Sequence, residues 1–131
     1  MTLGGLLDGF DWNVEPASDA VLESVQSQLG PLPADYLVLM RLHNGGEGFV
    51  GGGSYLRIWP IEELPEKNRI LAPHRESTVV LIGSDGSDDL YAVEPAAKGH
   101  SFLIFPRIEL VSKGHKLGDS WAGFLEALSR T

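Results

Sequence analysis

Two glycine-rich stretches hold the residues whose types and spacing are closest to known chemistry. Gly46-Glu47-Gly48-Phe49-Val50-Gly51 has the spacing of a dinucleotide-binding turn, and Glu66 lies about twenty residues on, where a ribose-binding acid would stand. That turn works only when it follows a strand and opens a helix, so that pyrophosphate meets the helix N-terminus. Here a helical pattern precedes it, a strand pattern follows it, and glycine is abundant throughout residues 45–53. The stretch is therefore read as a flexible helix-to-strand loop. The second stretch, Gly83-Ser84-Asp85-Gly86-Ser87-Asp88-Asp89, offers oxygen ligands for calcium, with Asp85, Ser87 and Asp89 at loop positions 1, 3 and 5. Positions 6 and 12, which call for glycine and a bidentate glutamate, are Leu90 and Ala96. Asp-Gly between two apolar runs is hairpin-turn chemistry.

Other catalytic sets fail on spacing. The chain has no cysteine, so thiolate zinc sites, disulfides and cysteine nucleophiles are excluded. His43, His74, His100 and His115 are too far apart in sequence to form a paired-histidine zinc motif. Ser54, in Gly52-Gly53-Ser54-Tyr55-Leu56, misses the nucleophile elbow at its last position. No lysine follows a glycine run in the manner of a phosphate-binding loop, and Glu62-Glu63 and Asp88-Asp89 read as solvated pairs. The expectation is a protein without catalytic residues, metal or cofactor. Among the aromatic residues, Trp121 lies on a helical stripe and reads as core. Trp59, beside Pro60 at the end of a strand pattern, reads either as core or as the floor of a cleft.

The elements that must carry these residues follow from periodicity. Val21, Leu22, Val25 and Leu29 form one helical stripe, with Ser18 as N-cap and Gly30-Pro31 as the stop. Pro33 opens a second helix whose body, Tyr36-Leu37-Val38-Leu39-Met40, is apolar nearly all round and should be the more buried of the two. Asn44-Gly45-Gly46 ends it. The period then changes to that of strands. Tyr55-Leu56-Arg57-Ile58-Trp59 is one, and residues 61–72 are a polar, partly helical connection. Residues 78–82 and 90–93 make an antiparallel hairpin, residues 101–105 are a further strand, and residues 108–111 continue or pair with it. A final helix from Asp119 or Ser120 places Trp121, Phe124, Leu125 and Leu128 on one face. Residues 1–13 show no clear period. This order predicts an α+β fold with a largely antiparallel sheet.

With 131 residues, 43% of them hydrophobic, the chain is expected to form one domain over residues 1–131. The net charge is -8, and residues 1–40 hold six acids and no Lys or Arg. Nucleic acid is excluded as an expected partner, since its binding depends on cations. The apolar runs are too short to cross a bilayer, and no basic residue precedes those at the N-terminus. A cytoplasmic protein without membrane contact is expected.

The order of several motifs resembles the SUKH superfamily, in its Smi/Knr-like branch. The motifs are Leu32-Pro33-Ala34-Asp35-Tyr36, Asn44-Gly45-Gly46-Glu47-Gly48-Phe49 and the run from Tyr55 through Trp59-Pro60-Ile61 to Leu64. Ile82-Gly83-Ser84-Asp85-Gly86 with Tyr91-Ala92-Val93 follows, and Leu117-Gly118-Asp119-Ser120-Trp121 with Phe124-Leu125 closes the series. The likeness runs from about residue 18 to 128. It departs after Gly86, where the family often has more glycine and a Glu and this chain has Ser87-Asp88-Asp89. The resemblance implies a non-catalytic protein-binding domain. It is similar to bacterial immunity proteins, which neutralise a cognate toxin, and to a fungal regulator of cell-wall synthesis. The leading expectation is an immunity protein whose partner is a basic toxin domain; the alternative is a regulatory scaffold that binds a host enzyme or peptide. On either reading the loop acids Glu47, Asp85, Asp88 and Asp89 are the expected contacts, with Phe49 and Trp59 as aromatic anchors.

Overall fold

The computed structural model describes residues 5–71, 79–96, 99–106 and 114–130. Strand β1 is Asp11–Trp12, and two helices follow it, α1 over Asp19–Leu29 and α2 over Ala34–Leu42. Next come β2 (Gly46–Phe49), β3 (Tyr55–Ile58), a 3-10 turn at Ile61–Glu63 and α3 (Leu64–Leu71). Strands β4 (Val80–Ser84), β5 (Asp89–Ala96), β6 (Gly99–Pro106) and β7 (His115–Gly118) lead to α4 (Trp121–Ser129). The seven strands form one sheet in chain order, and every neighbouring pair is antiparallel. The fold is α+β, as expected.

Local signals account for the helix ends. Ser18 Oγ accepts the Val21 N–H at 3.2 Å, satisfying one of the donors that a helix start leaves orphaned. Ser120 does the same for α4, accepting the Gly123 N–H at 3.0 Å. Asp35 adds a cap from outside: its carboxylate accepts the Trp121 N–H at 2.8 Å, tying the start of α2 to the start of α4. The core lies under α4. Phe124 stacks on Phe102 at 5.3 Å and meets Tyr91 edge-on at 5.3 Å, with Trp121 packed beside it.

Two expectations change. The glycine-rich stretch is not a flexible loop, because its first half, Gly46–Phe49, is β2. The glycines there let β1 approach. A Cβ on Gly46 would stand 2.7 Å from the Asp11 carbonyl, and one on Gly48 would stand 2.9 Å from the Phe10 ring. The unpatterned N-terminal segment thus supplies a strand, although only two residues of it pair. Helix α2, apolar nearly all round, packs by one side only. Tyr36 and Met40 are in the core, but Val38 is 54% exposed and Leu42 63% exposed. The helix packs by one side, with Tyr36 against Trp121 at 6.3 Å, and its other side faces solvent. The pairing expected of residues 108–111, the position of His74 and the first residue of the strand expected at 78–82 lie outside the described residues.

Strand β3 pairs with β4 only through Arg57↔Ser84 and Ile58↔Gly83, which leaves the Leu81 backbone without a strand on that side. The Asn68 side chain on α3 takes that place. Its Oδ1 accepts the Leu81 N–H at 2.8 Å, and its Nδ2 donates to the Leu81 carbonyl at 3.1 Å. A side-chain amide carries both groups of a peptide, so one asparagine here substitutes for a strand residue.

Candidate partner-binding surface

The register of the β2–β3 hairpin pairs Glu47 with Arg57 and Phe49 with Tyr55. Side chains two apart on a strand share a face, so these four stand together. The Phe49 and Tyr55 rings meet edge-to-face, with centroids 5.0 Å apart, and Phe49 remains 63% exposed. Glu47 Oε1 accepts from Arg57 Nε at 2.9 Å. The hydrogen bond from Arg57, and then one from the Tyr55 hydroxyl, hold the Glu47 carboxyl below the usual carboxylate range. Glu47 is therefore engaged inside the surface.

The β4–β5 turn lies against the Tyr55 ring of that aromatic pair. Gly86 has φ +83°, and a Cβ there would stand 3.2 Å from the Tyr55 ring. The Tyr91 hydroxyl, buried below, donates to the Tyr55 carbonyl at 3.4 Å. Asp85 builds the turn: its Oδ1 accepts the Ser87 N–H at 2.8 Å and the Asp89 N–H at 3.2 Å, an Asx turn. Asp88 is exposed and, among the described residues, makes no side-chain hydrogen bond or ion pair. The Asp89 carboxyl is pushed up, first by burial and then by the charges of Asp85 and Asp88. An exposed aromatic ring beside carboxylates suits a basic partner, because the ring supplies contact area and the acids supply attraction.

The fold brings Phe49, Asp85, Asp88 and Asp89 to one end of the hairpin, with Glu47 on the same face but paired. Trp59 is not among them. It follows the opposite end of β3, is 6% exposed, and lines a cleft of about 310 Å³ together with Glu47, Arg57, Glu63 and Lys67. The Lys67 ammonium stands 5.1 Å above its ring. Tyr55 is the residue that sequence reasoning left out; its only signal was its place opposite Phe49, which is visible once β2 is recognised as a strand. Among the described residues no helix is long and apolar enough to cross a membrane.

The chain is a small, largely antiparallel α+β domain with an aromatic and acidic end to its sheet. The chain belongs to the SMI1 / KNR4 family (SUKH-1), whose model matches residues 16–127. That match spans most of the sheet and all four helices up to the last turn of α4. No curated protein matches the chain.

Proposed function

We propose that this chain is a non-catalytic, cytoplasmic immunity protein that neutralises a toxin by holding a basic toxin domain against the Phe49 end of its sheet. The observation that supports this reading is a 63% exposed phenylalanine packed on Tyr55, the ring against which the Asp85–Asp89 turn lies at Gly86. Phe49 acts as the anchor, Tyr55 supports it from the side, and Asp88 is the free carboxylate for a partner's Lys or Arg. The overall charge of -8 speeds encounter with a basic domain.

The test is affinity capture from the source cells with the tagged chain, followed by association kinetics on the captured partner. The immunity reading expects one basic toxin-like domain, retained at moderate salt and inhibited by the chain. Its on-rate should fall on Asp88→Lys, and its off-rate should rise on Phe49→Ala. Capture of a cell-wall or metabolic enzyme through the same residues would replace the toxin with the regulatory-scaffold reading. A captured toxin whose binding ignores both substitutions would refute the site.

A further inference from the structure

Asn44-Gly45 is the one place in the chain where asparagine precedes glycine; the other two asparagines precede Val14 and Arg69. In such a dipeptide no Cβ shields the glycine nitrogen, which in a mobile chain reaches the asparagine side-chain carbonyl carbon. Packing makes this glycine obligatory. Gly45 has φ +96°, and a Cβ there would stand 2.6 Å from the Ile58 carbonyl oxygen. Hydrogen bonding makes the asparagine equally specific. Its Oδ1 accepts the Ile61 N–H at 2.8 Å, and its Nδ2 donates to Glu62 Oε1. An aspartate accepts the first of these bonds but has no proton to donate to the second.

The same dipeptide holds the N-terminal segment. Asn44 N–H donates to the Glu15 carbonyl at 3.0 Å, and the Asn44 carbonyl accepts from Asn13 Nδ2 at 2.7 Å. The Gly45 carbonyl accepts the Asn13 N–H at 2.9 Å, and the neighbouring His43 ring stacks on Trp12 at 5.0 Å. Residues 12–15, at and beyond the end of β1, are thus strapped to the end of α2 through residues 43–45.

We propose that Asn44 is a deamidation site that the fold keeps closed and whose reaction loosens this strap. The Gly45 nitrogen attacks Asn44 Cγ. A bond from that nitrogen to Cγ replaces Cγ–Nδ2, and ammonia leaves with the proton that the Gly45 nitrogen gives up. Water then opens the cyclic imide at either carbonyl, giving aspartate or isoaspartate. In the folded chain both side-chain amide atoms are engaged, and Gly45 N–H donates to the His43 carbonyl at 2.8 Å, so attack requires local opening. The change runs one way. Aspartate sets a carboxylate against Glu62 where a hydrogen bond stood, and isoaspartate adds a methylene to the backbone that carries the bonds to residues 13 and 15. The proposal does not rest on the use of the Phe49 end.

The test is incubation of the full chain in mildly alkaline buffer, with and without urea, followed by tryptic digestion and mass spectrometry. Cleavage after Arg41 and Arg57 releases residues 42–57, in which Asn44 is the only side-chain amide, so an amide-to-acid mass gain there reports this residue alone. The gain is expected in urea, and about tenfold or more slowly in the folded chain. Asn44→Asp should lower the urea midpoint and speed hydrogen exchange at the Asn13 N–H. Adding Glu62→Gln should recover part of that loss, because the glutamine amide donates to the new carboxylate; this double variant also carries the exchange measurement if the single one does not fold. Equal rates with and without urea would overturn the closure by the fold, and no gain in urea would overturn the site. An Asn44→Asp variant with the stability and exchange of the original chain would overturn the effect on the strap.

Discussion

The two ends of strand β3 carry the same ingredients and use them in opposite ways. At one end the Tyr55 ring supports Phe49, which stays 63% exposed, and the turn that carries Asp85, Asp88 and Asp89 lies against Tyr55. At the other end Trp59 is 6% exposed, with Lys67 over its ring. The buried end is built for stability: a large ring gives up its water, and the cation above it is attracted to the π face. The exposed end is not. Three carboxylates are gathered within one turn, and burial, followed by the charges of Asp85 and Asp88, disfavours the charge on Asp89. Asp85 serves the fold by building the turn, but the added charges of Asp88 and Asp89 do not, which is why the Phe49 end, and not the Trp59 end, is the better candidate for recognition.

The largest effect should come from the buried end. Trp59→Ala should cost about 3–5 kcal/mol in urea unfolding, whereas Phe49→Ala should stay within about 0.5 kcal/mol. Equal losses at the two positions would end the contrast. Next in size is Gly53→Ala, which drives a Cβ into the Leu128 carbonyl at the end of α4, where Ser54 N–H donates to that carbonyl at 2.9 Å. A loss of about 1–3 kcal/mol is expected, seen as a lower Tm, because the Phe49 hairpin is seated on α4 through this contact. Asn68→Ala should cost a similar or smaller amount, about 1–3 kcal/mol, by leaving the Leu81 N–H and carbonyl without a protein partner. Hydrogen exchange at Leu81 would report it directly.

The smallest effects are the most diagnostic, because they differ in sign. Asp89 is raised in the folded state, so the stability it contributes is present below its unfolded value, about 3.9, and is lost as pH rises through the folded one. Asp89→Asn should therefore stabilise the protein at pH 7 and have no such benefit at pH 3. Glu47 is lowered, so its contribution is present above its unfolded value, about 4.3, and is lost as pH falls through the folded one. Glu47→Gln should destabilise at pH 7 and be neutral in strong acid. Urea midpoints of the two variants across pH would show opposite trends; parallel trends would mean that the two carboxylates share one role.

Much of the fold was legible because it is written locally. The caps Ser18 and Ser120, the α4 stripe and the hairpin across Asp85-Gly86 each depend on residues a few positions apart. Strands β1 and β2 were not legible, since two residues and a glycine-rich tetrapeptide carry no period of their own and become strands only by pairing. The candidate site divides the same way. The acids of the β4–β5 turn could be named from composition and turn chemistry, but Glu47 gave no sign of being held by Arg57, nor Trp59 of being covered by Lys67. The apolar body of α2 pointed to burial, and Tyr36 and Met40 are buried, but the exposure of Val38 and Leu42 was not legible, because apolar residues all round a helix do not say how many neighbours it has.

By itself, then, the sequence determined the α+β class, the lack of any cysteine chemistry and the strong acidity of the first forty residues, all of which follow from composition and short-range periodicity. Only the tertiary structure decided which aromatic is presented and which is buried, because exposure depends on what packs from elsewhere in the chain. The turn that Gly86 lays against Tyr55, the Asp35 cap on Trp121 and the hydrogen bonds that hold residues 13–17 to the end of α2 are long-range pairings. No window of the sequence contains both partners of such a contact.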